Sequence, residues 1–168
     1  CTLCFAEEMS YQHAYAFLST PKYAADFRHF DFVNPQAPKG GRMRVPQMGN
    51  WDSFNLISEK GRQSAGIGFW SRDQNLLWDS LLVPALDEPA THYGLLAEGI
   101  AVASDNSWVA FKLRPSARWH DGKPITTADV LWSFEAYRSQ SSPTIRSSFE
   151  PFTVEVIGPN EIKFNVPA

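Results

Sequence analysis

The segment WHDGKPITTADV, residues 119–130, contains a turn signal followed directly by a helix-start signal. Asp121-Gly122 is a turn dipeptide, because glycine adopts a positive φ without steric cost. Thr126 is followed three residues later by Asp129, a variant of the capping box in which two side chains satisfy free amides at a helix N-terminus. Apolar residues follow from Val130 at helical spacing. The segment therefore predicts a tight turn that leads directly into a capped helix.

The same segment holds His120 beside Asp121, a pair that can serve as a general base and its orienting group. No nucleophile stands at an interpretable spacing from this pair, and each polar residue around it has a structural role in the turn or the cap. We therefore expect a protein that is not an enzyme. A hydrolase that uses His120 and Asp121 is kept as an alternative.

Alternating apolar and polar residues predict strands on both sides of the capped helix. Segments 95–103 and 107–114 are typical of two strands joined at Asp105-Asn106. Residues 152–166 are typical of a hairpin that turns at Gly158-Pro159-Asn160. Two strand pairs around helices predict an α+β fold.

Four further segments complete the prediction for the chain. Met43 and Val45 alternate with arginines in a predicted strand over 40–47, and apolar residues at helical spacing predict an amphipathic helix over 69–82. Glycine-rich and proline-rich stretches at 49–68 and 83–94 predict loops.

The first residues differ in composition from the rest of the chain. The opening CTLCFAEE is apolar and then abruptly acidic, which favours the end of a secretory signal peptide cleaved after Ala6. The alternatives for Cys1 and Cys4 are a CxxC redox pair or a lipid anchor. Residues 11–41 are rich in aromatic residues and proline, and we expect an extended arm, with 1–38 only loosely attached.

Composition excludes several classes of protein. The net charge is −3 and the pI is near 5.8, which argues against nucleic acid as a partner. No apolar run reaches the length of a membrane span. The histidines show no metal-ligand spacing, so we expect no metal and no cofactor; they are His13, His29, His92 and His120.

The order of motifs resembles the family 5 extracellular solute-binding proteins of ABC importers. A strand ends in Phe111-x-Leu113-Arg114, a turn follows in WHDGKP, and Asp129-Val130 opens the next helix. The segment at 80–98 and the arm PKYAADFRHFDFVNPQAPKGG are similar to a peptide-binding subgroup that includes the binding proteins for microcin C and murein-derived peptides.

This resemblance implies a type II periplasmic-binding-protein-like fold, of which the chain corresponds to the N-terminal part. It places a signal-peptide remnant at 1–6, the arm and first strand of lobe I at 7–50, and a small inserted mixed β-sheet domain at 51–168. A monomer in the periplasm is implied, secreted or held at the membrane. Its partners would be a small peptide or peptide-like ligand and an ABC permease.

In this family, a loop after the first strand and a segment after the Asp-Val helix contact the ligand. The resemblance thus implies ligand-binding residues in two segments, with Gly61 allowing close approach of the ligand and arginines pairing with a carboxylate. These residues are Trp51, Lys60, Gly61, Arg62, Thr144 and Arg146.

Six tryptophans leave a second alternative open, a stand-alone carbohydrate-binding module with exposed indole rings. Trp78, Trp108 and Trp132 fall within helix or strand patterns, so we expect these three in the core. A pair of coplanar tryptophans on the surface would favour the carbohydrate alternative.

Overall fold

The computed structural model describes residues 9–42, 44, 50–62 and 76–167. Within these residues the elements are β1 Ala14–Ala16, β2 Leu82–Pro84, β3 Thr91–Gly94, β4 Ala97–Val102, β5 Trp108–Leu113, α1 Thr127–Gln140, α2 Pro143–Phe149, β6 Thr153–Gly158 and β7 Glu161–Asn165. Among these elements, five strands are followed by two helices and then two strands, so helices and strands are segregated as in an α+β fold. Residues 1–8, which include the predicted signal-peptide remnant, four of the eight residues of the predicted 40–47 strand and residues 69–75 lie outside this description.

Four strands form an antiparallel sheet in the order β4-β5-β7-β6. The two predicted hairpins are confirmed. Asn106 has a φ of 60° in the turn between β4 and β5, a conformation that asparagine tolerates better than most residues. Ile162 in β7 is fully buried between its neighbours, so the centre of this sheet forms the core of the larger half.

The two helices cover one face of the four-stranded sheet. The ring of Phe134 in α1 lies 5.7 Å from the rings of both Phe149 in α2 and Phe164 in β7. Tyr137 stacks on Phe149 with a centroid distance of 5.2 Å. These contacts give α1 its orientation, because its apolar side meets aromatic residues from both the sheet and α2.

The predicted capping box at the start of α1 is confirmed. The Thr126 amide and hydroxyl donate to Asp129 Oδ2 at 2.8 and 2.7 Å, and the Asp129 amide donates back to Thr126 Oγ1. Burial raises the pKa of Asp129, but hydrogen bonds from Thr126 and from the side chain of Trp119 outweigh it, so that the pKa is lowered.

A second, three-stranded sheet has the order β1-β3-β2. It contradicts two predictions, because Leu82–Pro84 and Thr91–Gly94 form strands where 83–94 was expected to be a loop. The helix predicted over 69–82 is also wrong in its described part, because residues 76–81 are bends or irregular and Leu82 begins β2. The pairing of Val83 with Tyr93 supplies long-range backbone bonds that the local apolar spacing did not reveal.

The arm is anchored to both sheets, so the expectation of loose attachment is wrong for its described part up to Asp31. Ala14 pairs with Tyr93, and the amides of Gln12 and Ile100 each donate to the other residue's carbonyl at 2.8 Å. Tyr23 is 7% exposed, and its ring lies 5.6 Å from the ring of Tyr93 in an edge-to-face arrangement.

Polar contacts hold the arm at the loop between β2 and β3. Lys22 Nζ lies 2.8 Å from Asp31 Oδ2 and 2.6 Å from Asp87 Oδ2, and its backbone amide donates to Glu88 Oε1 at 2.8 Å. Bonds to Asp31 and Asp87 raise the pKa of Lys22, and bonds from Lys22 and Tyr23 lower the pKa of Asp87.

No helix among the described residues is long and apolar enough to cross a membrane.

We expect the anchor of the arm to weaken in acid and on replacement of Lys22. Because the pKa of Asp87 is lowered in the folded protein, its contribution to stability is complete above its unfolded pKa of about 4 and is lost as the pH falls through the folded pKa. Lys22→Met should have the same effect at neutral pH. Hydrogen exchange, corrected for intrinsic rates, should show faster opening of residues 20–31 while β5 keeps its protection.

The matched control is Lys123→Met, which removes an exposed ion pair with Asp121 of similar length, 2.9 Å, far from the arm in sequence. It should leave exchange at 20–31 unchanged. Equal protection of 20–31 in the Lys22 variant and in wild type would show that the aromatic contacts alone hold the arm.

Candidate functional site

The first segment predicted to bind ligand, residues 50–62, is a loop built from short polar turns. The Asn55 amide donates to Ser53 Oγ at 3.0 Å, and Asn55 Oδ1 accepts from the amides of Ile57 and Ser58 at 2.9 and 3.1 Å. Ser58 Oγ accepts from the Lys60 amide at 3.1 Å. Short side chains that bond to the backbone two or three residues ahead stabilise a compact loop without regular structure.

The two ends of this loop are joined to each other. The amides of Asp52 and Ser53 donate to the Arg62 carbonyl at 3.0 and 3.2 Å, and the Arg62 amide donates to Asp52 Oδ1 at 2.7 Å. The Arg62 guanidinium also donates to Asn50 Oδ1. One nitrogen of Arg62 is therefore already engaged, which reduces its freedom to turn toward a ligand carboxylate.

Gly61 is required by the loop itself. Its φ is +84°, and a Cβ at this position would lie 2.6 Å from Asp52 Oδ1. The carboxylate could move aside only by giving up its bond to the Arg62 amide. The resemblance attributed glycine at this position to a closely approaching ligand. The Asp52 carboxylate is by itself a sufficient reason for glycine at position 61.

Trp51 and Phe54 form an exposed aromatic pair next to the loop closure. Their ring centroids are 4.4 Å apart, and the side chains are 50% and 46% exposed. Exposed aromatic surface of this kind can contact an apolar ligand side chain. The position of Trp51 is compatible with its predicted role as one wall of a pocket.

The second predicted segment is the short helix α2, which follows the end of α1. Thr144 and Arg146 are exposed. The Thr144 carbonyl accepts from the hydroxyls of Ser147 and Ser148 at 2.9 and 3.1 Å. Among the ion pairs of the described residues, none includes Arg146. Its guanidinium is therefore a charge available at the surface.

A shallow depression of about 380 Å³ lies between the first segment and the end of α1. It is lined by Asn55, Ser58, Glu59, Lys60 and Gln140. Of the residues predicted to bind ligand, only Lys60 lines this depression. Gln140, which also lines it, is the last residue of α1 and lies two positions before Ser142, the N-cap of α2. Trp51, Gly61, Arg62, Thr144 and Arg146 lie outside its lining.

The other lining residues were missed as candidate ligand contacts. Asparagine and serine at turn positions in 55–58 could have marked this part of the loop as compact and well ordered. Nothing in the sequence could have placed Gln140 beside residues 55–60.

A second depression, of about 530 Å³, lies within the loop between β2 and β3. Its carboxylates contact the arm, because Asp87 bonds Lys22 and Glu88 accepts from the Lys22 amide at 2.8 Å; Glu88 also accepts from the Tyr93 hydroxyl of β3 at 2.6 Å. Thr91 also lines it, and the Thr91 hydroxyl is buried without a partner among the described residues. The polar groups of this loop thus serve chiefly to hold the arm.

The segment around His120 forms the predicted turn. Asp121 Oδ1 accepts from the Lys123 amide at 3.0 Å, and Asp121 Oδ2 pairs with Lys123 Nζ at 2.9 Å. These contacts with Lys123 lower the pKa of Asp121. Gly122 has a φ of +86°, and the exposed ring of His120 lies 6.1 Å from that of Trp78. Both carboxylate oxygens of Asp121 thus contact Lys123 within the turn.

Two of the tryptophans expected in the core are exposed, so that prediction is wrong for Trp78 and Trp132. They are 44% and 65% exposed, while Trp108 is partly buried. The buried residues of α1 are Thr127, Phe134 and Ala136, and Trp132 is not among them. Trp78 meets Trp119 at 81°, so this pair does not form the coplanar platform that stacks a sugar ring.

The described residues contain no group of three or more histidine, cysteine, aspartate or glutamate side chains that could hold a metal ion.

Comparison with known proteins identifies relatives for nearly all of the chain. The family model for bacterial extracellular solute-binding proteins, family 5 middle, matches residues 91–168. The uncharacterized protein YejA of Escherichia coli strain K12 is 37% identical over 161 residues, which cover 96% of this chain and 26% of that protein.

Two relatives from Agrobacterium fabrum carry names that state what they bind. The peptidoglycan-binding protein YepA is 36% identical over 154 residues, which cover 90% of this chain and 25% of that protein. The probable peptide-binding protein YejA is 38% identical over 144 residues, 85% of this chain and 22% of that protein. The chain thus spans about a quarter of the length of the curated relatives it matches.

We expect Gly61→Ala to disrupt the closure of the loop. Gly122→Ala is a matched control, because Gly122 has a φ of +86° but no atom within 4 Å of its Cβ position. Both variants carry the backbone strain of a positive φ, roughly 1–2 kcal/mol. Only Gly61→Ala also displaces the Asp52 carboxylate, so hydrogen exchange at the Arg62 amide should accelerate in that variant alone. Unchanged protection of this amide would contradict the steric account.

Proposed function

We propose that this chain, whose residues 91–168 match the family model for family 5 extracellular solute-binding proteins, belongs to that family and forms part of the peptide site of a binding protein for an ABC importer. The protein would act in the periplasm, without catalysis, and deliver a peptide or peptide-like ligand to a membrane permease. The observation that carries the proposal is the depression in which Lys60 and its loop neighbours lie beside Gln140, the last residue of α1.

The names of the relatives support a ligand of peptide character. One is described as a probable peptide-binding protein and another as peptidoglycan-binding, and peptidoglycan contains short peptides. A peptide presents backbone donors and acceptors that must be satisfied when it leaves water. The loop over 55–62 and the end of α1 offer amide, hydroxyl and charged groups suited to this.

We assign the ligand contacts on this chain to the two segments in different roles. Lys60 and Arg146 supply positive charge, suited to a terminal or side-chain carboxylate. Trp51 provides apolar surface, and Gly61 and Thr144 provide backbone and hydroxyl contacts. Arg62 combines contact with the ligand and closure of its own loop through Asn50.

Uptake in this proposal depends on closure of two lobes around the ligand, which gives the permease a liganded shape to recognise. This chain would contribute one side of the cleft. Its share of about a quarter of the relatives' length is consistent with a contribution from one side only.

We expect Arg146→Ala in the natural full-length polypeptide to weaken binding of a peptide with a free C-terminal carboxylate. The loss of one charge-assisted bond should cost about 1.5–3 kcal/mol, or roughly tenfold or more in Kd. Calorimetric titration with tri-alanine and with the peptidoglycan-type tripeptide L-Ala–D-Glu–diaminopimelate should show the loss. The tri-alanine C-terminal amide should lose less.

The matched control is Arg138→Ala, which removes an exposed arginine of α1 that forms an ion pair with Glu135 of the same helix. It should bind all three peptides like wild type. Equal affinities of the Arg146 variant and wild type for the acid and the amide would refute the assignment of Arg146. Binding of a chitin-type oligosaccharide in place of either peptide would favour the carbohydrate alternative.

A further inference from the structure

We infer that Asp52 is a positioning residue that fixes Lys60-Gly61-Arg62 in the shape that meets the ligand. The inference rests on the proposed function, because it names a residue that acts on the ligand through this segment. Asp52 lies ten positions before Arg62 in the sequence and was not among the predicted site residues.

Asp52 contacts Arg62 through both its side chain and its backbone. Its Oδ1 accepts from the Arg62 amide at 2.7 Å, and its own amide donates to the Arg62 carbonyl at 3.0 Å. The same oxygen, Asp52 Oδ1, lies 2.6 Å from the position that a Cβ on residue 61 would occupy. One carboxylate thus fixes the conformation of two consecutive residues.

The backbone amides of Asp52 and Ser53 also donate to the Arg62 carbonyl and do not depend on the Asp52 side chain, but the Arg62 amide itself is held by that side chain. The side-chain bonds described for Ser53, Asn55 and Ser58 are made to amides two or three residues ahead. Asn50 holds the Arg62 side chain but not its amide. Among these side chains, that of Asp52 accepts a hydrogen bond from the backbone amide of Arg62, at the far end of the loop.

A segment that is ordered before binding loses less conformational entropy when the ligand arrives. Without the Asp52 carboxylate, the Lys60-Gly61 peptide would sample several conformations, and the ligand would have to select one. The function of the contact is to accept a hydrogen bond, and an amide oxygen can do this as well as a carboxylate. Asparagine should therefore replace aspartate, while alanine should not.

The test compares Asp52→Ala and Asp52→Asn in the natural full-length polypeptide, with Asp105→Ala as the matched control. Asp105 likewise accepts from a backbone amide, that of Ser107 at 3.0 Å, but in the turn between β4 and β5. Binding of the tripeptide L-Ala–D-Glu–diaminopimelate is measured by calorimetry. The ¹⁵N–¹H signal and the exchange rate of the Arg62 amide report the loop without ligand.

We expect Asp52→Ala to shift the Arg62 amide signal, to accelerate its exchange and to weaken tripeptide binding by about tenfold, in line with the cost of ordering a few side chains. Asp52→Asn and Asp105→Ala should keep the affinity within about threefold of wild type. Rescue by asparagine separates hydrogen bonding from charge.

Two results would overturn the inference in distinguishable ways. If wild type binds the tripeptide and Asp52→Ala binds it equally well, Asp52 does not position the ligand segment, and the proposed function stands. If wild type binds neither tripeptide nor tri-alanine, the proposed function fails, and the positioning role fails with it even where the Arg62 amide responds.

Discussion

The buried ring of Tyr93 is the contact on which the smaller half of the structure depends. Its backbone pairs with Ala14 on one side and Val83 on the other, and its side chain is fully buried. Its hydroxyl donates to Glu88 at 2.6 Å and accepts from the Tyr23 amide at 3.1 Å. Burial, followed by the bond to Glu88, raises the pKa of Tyr93. One side chain thus joins the arm, β2 and the loop after it.

Local rules were sufficient for the larger half of the fold. Two hairpins and the capped helix depend on alternation, turn residues and a pattern of four consecutive residues at 126–129, all of which a sequence displays. The arm depends on partners about 70 residues away, such as Tyr93 for Tyr23, and β2 depends on pairing with β3, as in Val83 with Tyr93. Apolar spacing in 76–82 was compatible with a helix, but pairing with β3 was more favourable than a local helix there.

The candidate site was predictable to the same extent. The polar, glycine-containing composition of 50–62 indicated a loop correctly, and the resemblance selected Lys60 to Arg62 within it. The bond between Asp52 and Arg62 and the approach of Gln140 to Lys60 depend on chain geometry that spacing does not encode. The resemblance assigned Gly61 to close approach of a ligand, which stays a prediction, and the loop supplies a separate reason for glycine there, since a Cβ would lie 2.6 Å from Asp52 Oδ1.

The central claim is that this chain forms one side of a site for a peptide. Native mass spectrometry of the natural full-length polypeptide, purified without denaturation from the cells that produce it, tests this most directly. The account predicts a co-purified mass that matches a short peptide or a peptidoglycan-derived peptide and that is lost on partial unfolding. A bound mass that matches a sugar without any peptide component would contradict it.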